Sequence, residues 1–173
     1  MANETETAKR LPDKITPCIW YDLGQARPAA EFYMSLGLPD SSIDSVFESP
    51  ADNPSSSAGA ELVVEFTLAG RSFLGLNGGP IFPQTEAISF QVYTEDQAET
   101  DRLWNAIVEN GGAESQCGWC KDRWGVNWQI TPRRLMAFYS DPNPARAKAA
   151  FEAMMTMKKI DIAALEAAAD RAG

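Results

Sequence analysis

The chain has 173 residues, a formal net charge of -9 and no histidine. Its length supports one substantial core that buries about 70% of the extended surface, and it excludes two large independent domains. Lys and Arg are scattered, so no basic patch for a phosphate backbone forms and nucleic acid is excluded as a partner.

No apolar run reaches the roughly 18 residues that a membrane-spanning helix needs, which leaves no membrane partner. The first residues are polar where a signal peptide would be apolar, so the expected location is cytoplasmic. Three cysteines, an odd number, do not resemble a secreted disulfide framework.

Residues 1–13 read as a disordered leader. From Lys14, the alternation in I-T-P-C-I-W-Y-D predicts a strand, with its proline at an edge. Pro28 suits a helix's first turn, Ala29, Phe32, Tyr33 and Leu36 give the helix an apolar stripe, and Gly37 caps its end. A weaker strand over 42–48 precedes a Pro/Ser/Asn-rich segment read as a mobile loop. Strands over 61–68 and 72–76, separated by Ala69-Gly70-Arg71, predict an antiparallel hairpin.

A second unit begins at Ala87. Thr94 with Gln97 forms a candidate capping box, Leu103, Trp104, Ile107 and Val108 face inward, and Asn110-Gly111-Gly112 ends that helix. Strands near 115–119 and 126–131 follow. The order of strand, helix and about three strands is thus given twice, offset by about 72 residues between Ile15 and Ala87. Each half alone would expose an apolar sheet face. The expected fold class is therefore α+β, with two paired βαβββ modules (14–80 and 86–132, together a domain over 14–132) sharing a curved mixed sheet. Residues 133–173 read as a C-terminal helical extension, with helices over 145–157 and 162–169, the second capped by Asp161.

Strand parity defines a candidate ligand-binding face: Cys18 and Trp20, Phe73 and Asn77, Ser89 and Gln91, Asn127 and Gln129. Such a polar stripe would be costly if dry and unpaired, so it should meet a ligand, water or its own hydrogen-bond network. Trp119 is a candidate wall for an apolar ligand, and the amides of Asn77, Gln91 and Gln129 can donate and accept. Trp124 and Trp128 read as structural. Glu65 is a weak candidate acid or base, being the carboxylate that lies well inside a strand. Cys117-Gly-Trp-Cys120 has dithiol spacing and supplies redox candidates, although its context is strand or turn and not a helix N-terminus.

Several stretches together carry a family resemblance. They are I-T-P-C-I-W-Y-D at 15–22, A-E-F-Y at 30–33, V-E-F-T-L-A-G at 64–70, F-L-G-L-N-G-G-P at 73–80 and E-A-I-S-F-Q-V at 86–92, continuing with Q-C-G-W-C-K-D-R-W-G-V-N-W-Q-I-T-P at 116–132 and M-K-K-I-D-I-A-A-L-E-A-A at 157–168. On these motifs the chain resembles the PhnB-like branch of the glyoxalase/bleomycin-resistance/dioxygenase superfamily, the vicinal-oxygen-chelate fold, whose members often carry a 3-demethylubiquinone 3-methyltransferase label. The resemblance implies paired modules and a homodimer able to exchange them between subunits.

Metal-dependent relatives carry ligands at four inward positions, which fall here on Thr16, Gly75, Ala87 and Gln129. Only Gln129 has an established ligand-like side chain, so no metal and no cofactor are expected. Neither Asn77-Gly78-Gly79-Pro80 nor Asn110-Gly111-Gly112 lies where a Rossmann-type methyltransferase needs its glycine-rich turn. The resulting expectation is a protein that binds a small, partly apolar metabolite in a cleft between curved sheets. The alternatives are a methyltransferase-like or isomerase/lyase enzyme, and a thiol-redox protein using Cys117 and Cys120.

Overall fold

The structure is a computed structural model that describes residues 13–173; the leader expected over 1–13 lies outside the described residues except for Asp13. Contacts divide the chain into two compact units, one reaching to Phe82 and one of Pro83–Gly173.

In the first unit, β1 (Cys18–Tyr21) leads to α1 (Ala26–Ser35) and then to β2 (Ser42–Glu48), β3 (Glu61–Leu68) and β4 (Arg71–Asn77). The spatial order is β1-β4-β3-β2, with β1 parallel to β4 and the other pairs antiparallel. Alternation turns Ile19, Tyr21, Val64 and Phe66 into the core, where the buried side of α1 supplies Ala26, Ala29, Ala30 and Tyr33. Small residues let this helix lie close to the sheet. A Cβ on Gly75 would stand only 3.0 Å from that of Ala26, so glycine is what permits the approach. Asn77 fastens the helix start, accepting from the Ala26 N–H at 2.9 Å and donating to the Glu61 carbonyl at 3.0 Å. Between β2 and β3, the segment read as a mobile loop is knit around Asn53, whose amide donates to Ser49 and Ser56 and accepts from two backbone N–H groups.

The second unit repeats this order. β5 (Phe90–Thr94) precedes α2 (Gln97–Glu109), and β6 (Ala113–Glu114), β7 (Trp119–Lys121) and β8 (Asn127–Pro132) form a sheet ordered β5-β8-β7-β6 with β5 parallel to β8. Cys120, Trp128 and Ile130 are buried, as are Leu103, Trp104 and Ile107 of α2, which packs on this sheet. The cap of α2 differs from the expected Thr94. Asp96 accepts from the Glu99 N–H at 2.8 Å, and Glu99 accepts from the Glu95 N–H at 2.8 Å. Thr94 is instead buried, its hydroxyl 2.6 Å from that of Thr100.

The expectation of one curved mixed sheet shared by paired modules is corrected. Strands pair only within each module, giving two separate four-stranded mixed sheets with flanking helices, neither of them curled. The physical reason is that each module's first strand bonds to its own last strand, so every ladder is completed locally. The βαβββ order of each module stands.

After β8 come α3 (Arg133–Tyr139), α4 (Pro144–Met154) and α5 (Ile162–Ala172), within the second unit. Leu135, Phe138, Ala150, Met154, Ile160, Leu165 and Ala169 form their common core. Asn143 and Asp161 cap α4 and α5. Among the described residues, no helix is long and apolar enough to cross a membrane.

Candidate functional site

Each sheet buries one face beneath its helices and leaves the other open. On the second sheet, pairing sets Gln91 of β5, Gln129 of β8 and Trp119 of β7 in one row across three strands. Residues two apart share a face, so Tyr93, Thr131 and Lys121 lie on the same side. Ser89, one residue before β5, joins them. Two hydrogen bonds lace this surface: Gln91 donates to the Thr131 hydroxyl at 3.1 Å and Gln129 donates to the Ser89 hydroxyl at 2.9 Å. Each amide donates through its nitrogen in these bonds, and its side-chain oxygen keeps the capacity to accept. Gln91 is exposed, and Gln129 and Trp119 are half-buried, which makes them reachable.

The charged groups at the margins are already paired. Lys121 meets Glu86 at 2.9 Å, and Arg133 meets Glu95 at 2.7 Å while lying over the Tyr93 ring. Asn127 is turned to a structural task, donating to the Thr85 carbonyl at 2.9 Å while 5% exposed.

On the first sheet, the open face carries Cys18 and Trp20, aligned with Leu74 and Leu76 of β4, and beyond them Val63 and Glu65 of β3. The Trp20 indole donates to the Gly79 carbonyl at 2.7 Å and its ring meets Phe82 edge-on. Partial burial pushes the Cys18 thiol above its ordinary pKa. Phe73 and Asn77 do not share this face; both are buried on the helix side, with Phe73 stacked on Phe66. The cause is the hairpin. Ala69 and Gly70 alone make the turn, both with positive φ (48° and 74°), and Arg71 already pairs with Leu68. One residue fewer in the connection reverses the parity of the whole strand.

Glu65 stands on the open face and accepts a hydrogen bond from Ser45. Asp44, Glu65, Thr67 and Ser72 line a recess beside it of about 10 Å³, room for a single water.

The two thiols of the C-x-x-C stretch occupy different surroundings. Cys120 is 1% exposed, and burial, followed by the charge of Asp122, pushes its pKa up to about 12. Such a thiol is protonated at neutral pH and is a poor nucleophile. Cys117 lies in the turn before β7, its sulfur 3.8 Å from that of Met155. No pair of low-pKa thiols results.

The four positions used by metal-dependent relatives do not form a ligand set. Gly75 and Ala87 have no side-chain donor and the Thr16 hydroxyl is given to the Asp13 carbonyl at 2.7 Å, so the side-chain oxygen of Gln129, whose nitrogen donates to Ser89, would be a single ligand. Among the described residues no three His, Cys, Asp or Glu side chains converge as a metal site would require.

Sequence reasoning missed Tyr93 and Thr131, which two-residue parity from Gln91 and Gln129 would have found. It also missed Asp122, which is 3% exposed and accepts from the Trp124 and Val126 N–H groups and from the Trp128 indole at 3.0 Å. The D-R-W-G spacing, an aspartate three residues before a turn glycine, was the available signal.

Comparison with known proteins adds context to this geometry. The family model described as 3-demethylubiquinone-9 3-methyltransferase matches residues 13–131. A PhnB protein from Bacillus cereus, provisionally described as a 3-demethylubiquinone-9 3-methyltransferase, is similar with a TM-score of 0.61 and 29% identity, over 69% of this chain and 99% of its own. A protein from Pseudomonas aeruginosa is similar with a TM-score of 0.51 and 20% identity, over 71% of this chain and 98% of its own, a likeness of fold alone. No curated protein matches the chain.

Proposed function

The chain belongs to the PhnB-like branch of the glyoxalase superfamily, in the family described as 3-demethylubiquinone-9 3-methyltransferase, and from that membership we propose that it binds a small, partly apolar molecule on the open face of its second sheet. Trp119 offers the apolar contact, and Gln91 and Gln129 orient the ligand's polar group through their side-chain oxygens. The observation that carries this reading is the in-register row of those three residues. Water-facing amides beside an indole provide contact area and direction together, which a purely apolar or purely charged face lacks. On the first sheet, Trp20 supplies an aromatic surface beside the Cys18 thiol.

Binding is favoured over methyl transfer because the glycine pairs Gly78-Gly79 and Gly111-Gly112 follow β4 and α2, and neither opens a helix after a strand. The donor sets at Thr16, Gly75, Ala87 and Gln129 favour a reading without metal catalysis. A second reading, in which Glu65 moves a proton for an isomerase- or lyase-type reaction, is supported by its place on an open face beside Ser45. The protein acts in this proposal as a cytoplasmic homodimer, a reading supported by its acidic composition and its family; two compact units suit an exchange of modules between subunits.

The test is native mass spectrometry of untreated protein followed by a metabolite screen read by tryptophan fluorescence. The expected result is a bound small molecule whose affinity falls about tenfold or more in Trp119→Ala and Gln129→Ala. Unchanged affinity in both variants would remove this face from consideration.

A further inference from the structure

We infer that Asn110, at the end of α2, is a site of spontaneous deamidation and isomerisation, and that the fold protects its sequence twin Asn77 from the same change. The reaction needs a side-chain amide and a following backbone nitrogen that can reach it. The Gly111 nitrogen attacks the side-chain carbonyl carbon of Asn110, the bond from that carbon to the amide nitrogen breaks, and ammonia leaves with the proton lost from Gly111. Water then opens the cyclic imide at either carbonyl, giving aspartate or isoaspartate. No oxidant, reductant or cofactor enters.

Glycine crowds this attack least, because it has no Cβ. The chain holds two Asn-Gly pairs, Asn77-Gly78 and Asn110-Gly111, whereas Asn53 and Asn143 precede prolines that have no N–H to lose. The surroundings of the two pairs are opposite. Asn77 is 1% exposed, and its side chain accepts from the Ala26 N–H and donates to the Glu61 carbonyl. The Gly78 N–H donates to the Tyr21 and Leu76 carbonyls, each at 3.0 Å, and a Cβ on Gly78 would fall 2.3 Å from the Trp20 ring. Neither reacting atom can turn towards the other while β4 keeps its place. At the second pair, Asn110 is half-buried and Gly111 is exposed with a φ of 87°. Among the described residues, neither the Asn110 side chain nor the Gly111 N–H has a hydrogen-bond partner, so both are free to rotate into contact.

The product matters because the next residue has no slack. The Gly112 N–H donates to the Val108 carbonyl at 3.1 Å, and a Cβ on Gly112 would lie 2.4 Å from the carbonyl oxygens of both Ile107 and Lys121. Isoaspartate adds a methylene to the main chain just before this contact. The pairing of β6 with β7, Ala113 with Lys121 and Glu114 with Cys120, then loses its register. Either product also places a carboxylate at the C-terminal end of α2, the negative end of its dipole, where the last turn carries no basic residue to offset it. Modification at Asn110 therefore loosens an edge strand of the second sheet.

The full-length protein is incubated at mildly alkaline pH, with and without denaturant, and its peptides are followed by mass spectrometry. Isoaspartate is counted by methyl transfer from a labelled donor with an isoaspartyl carboxyl methyltransferase. In the folded protein, Asn110 is expected to convert at least about tenfold faster than Asn77, because a buried segment reacts only through local opening. In denaturant the two rates converge. Asn110→Gln removes isoaspartate formation from the folded protein, and hydrogen exchange in aged parent protein is faster at β6. The inference is overturned if Asn77 converts as fast as Asn110 in the folded protein, or if their rates stay apart in denaturant. It is overturned equally if folded Asn110 keeps its amide through an incubation that converts both sites in denaturant, if isoaspartate persists in folded Asn110→Gln, or if exchange at β6 is unchanged by ageing.

Discussion

Gln97, in the first turn of α2, holds the start of α5: its side-chain oxygen accepts from the Ile162 N–H at 2.8 Å and its nitrogen donates to the Ile160 carbonyl at 3.0 Å. A single amide thereby satisfies one of the N–H groups that a helix start leaves unpaired and ties it to another helix. Gln97→Ala is expected to destabilise the protein by about 1–3 kcal/mol, because two backbone groups lose their partner. Hydrogen exchange should accelerate first at the N-terminal turn of α5; uniform acceleration across the unit would show that the clasp is not local.

Asp122 organises the β7–β8 hairpin from inside it, and its removal strands three donors at once. Asp122→Ala should cost about 2–4 kcal/mol, given that buried unsatisfied donors are penalised individually. Denaturant titration measures the loss, and Trp128 emission should shift to longer wavelength as water reaches the indole. A cost below about 0.5 kcal/mol, the range of ordinary surface substitutions, would remove the carboxylate's structural role.

Gly75→Ala would bring a Cβ to 3.0 Å from Ala26 and 3.4 Å from a Tyr21 ring carbon. Overpacking of this size costs about 1–3 kcal/mol. The double variant Gly75→Ala with Ala26→Gly should recover part of that loss, measured as a rise in Tm over the single variant. Failure of the second change to help would place the strain elsewhere.

Cys120 gives a pH dependence whose sign follows from its environment. Burial raises the folded pKa from 9.0 to about 12, so the folded state keeps a proton that the unfolded state releases. The contribution is complete below pH 9.0 and declines as pH rises from there towards about 12, with a limiting slope of about 1.4 kcal/mol per pH unit. Comparing the alkaline stability of the parent with that of Cys120→Ala isolates this share; identical slopes would contradict it. In the native protein at neutral pH, iodoacetamide should label Cys18 and Cys117 and spare Cys120.

The local order of both modules was legible in the sequence because their core positions alternate or recur cleanly, as in Ile19 with Tyr21 and Leu103 with Ile107. What escaped were features set by one-residue choices. Reading Arg71 as part of a turn, when it already pairs with Leu68, put Phe73 and Asn77 on the wrong side of the sheet. Thr94 resembles a cap as well as Asp96 does, and only the bond to the Glu99 N–H separates them. The sheet boundary was harder still, since strand pattern does not state which strand accepts another's hydrogen bonds. On the open face, Gln91 and Gln129 were legible as polar residues inside strands, while their ladder with Thr131 and Ser89 depends on the parallel register of β5 and β8.

The N–H groups of Cys117 and Gly118 find their acceptors on Met157 and Lys158, beyond residue 131, where the matched family region stops. For this chain, the boundary recognised by similarity is therefore not a boundary at which the polypeptide can be cut. A fragment ending at residue 131 would leave the turn into β7 without its anchors and lose Ile160, Leu165 and their neighbours as cover. The last forty or so residues act as part of the second module's scaffold, so expression of the family region alone should give an insoluble or loosely folded product.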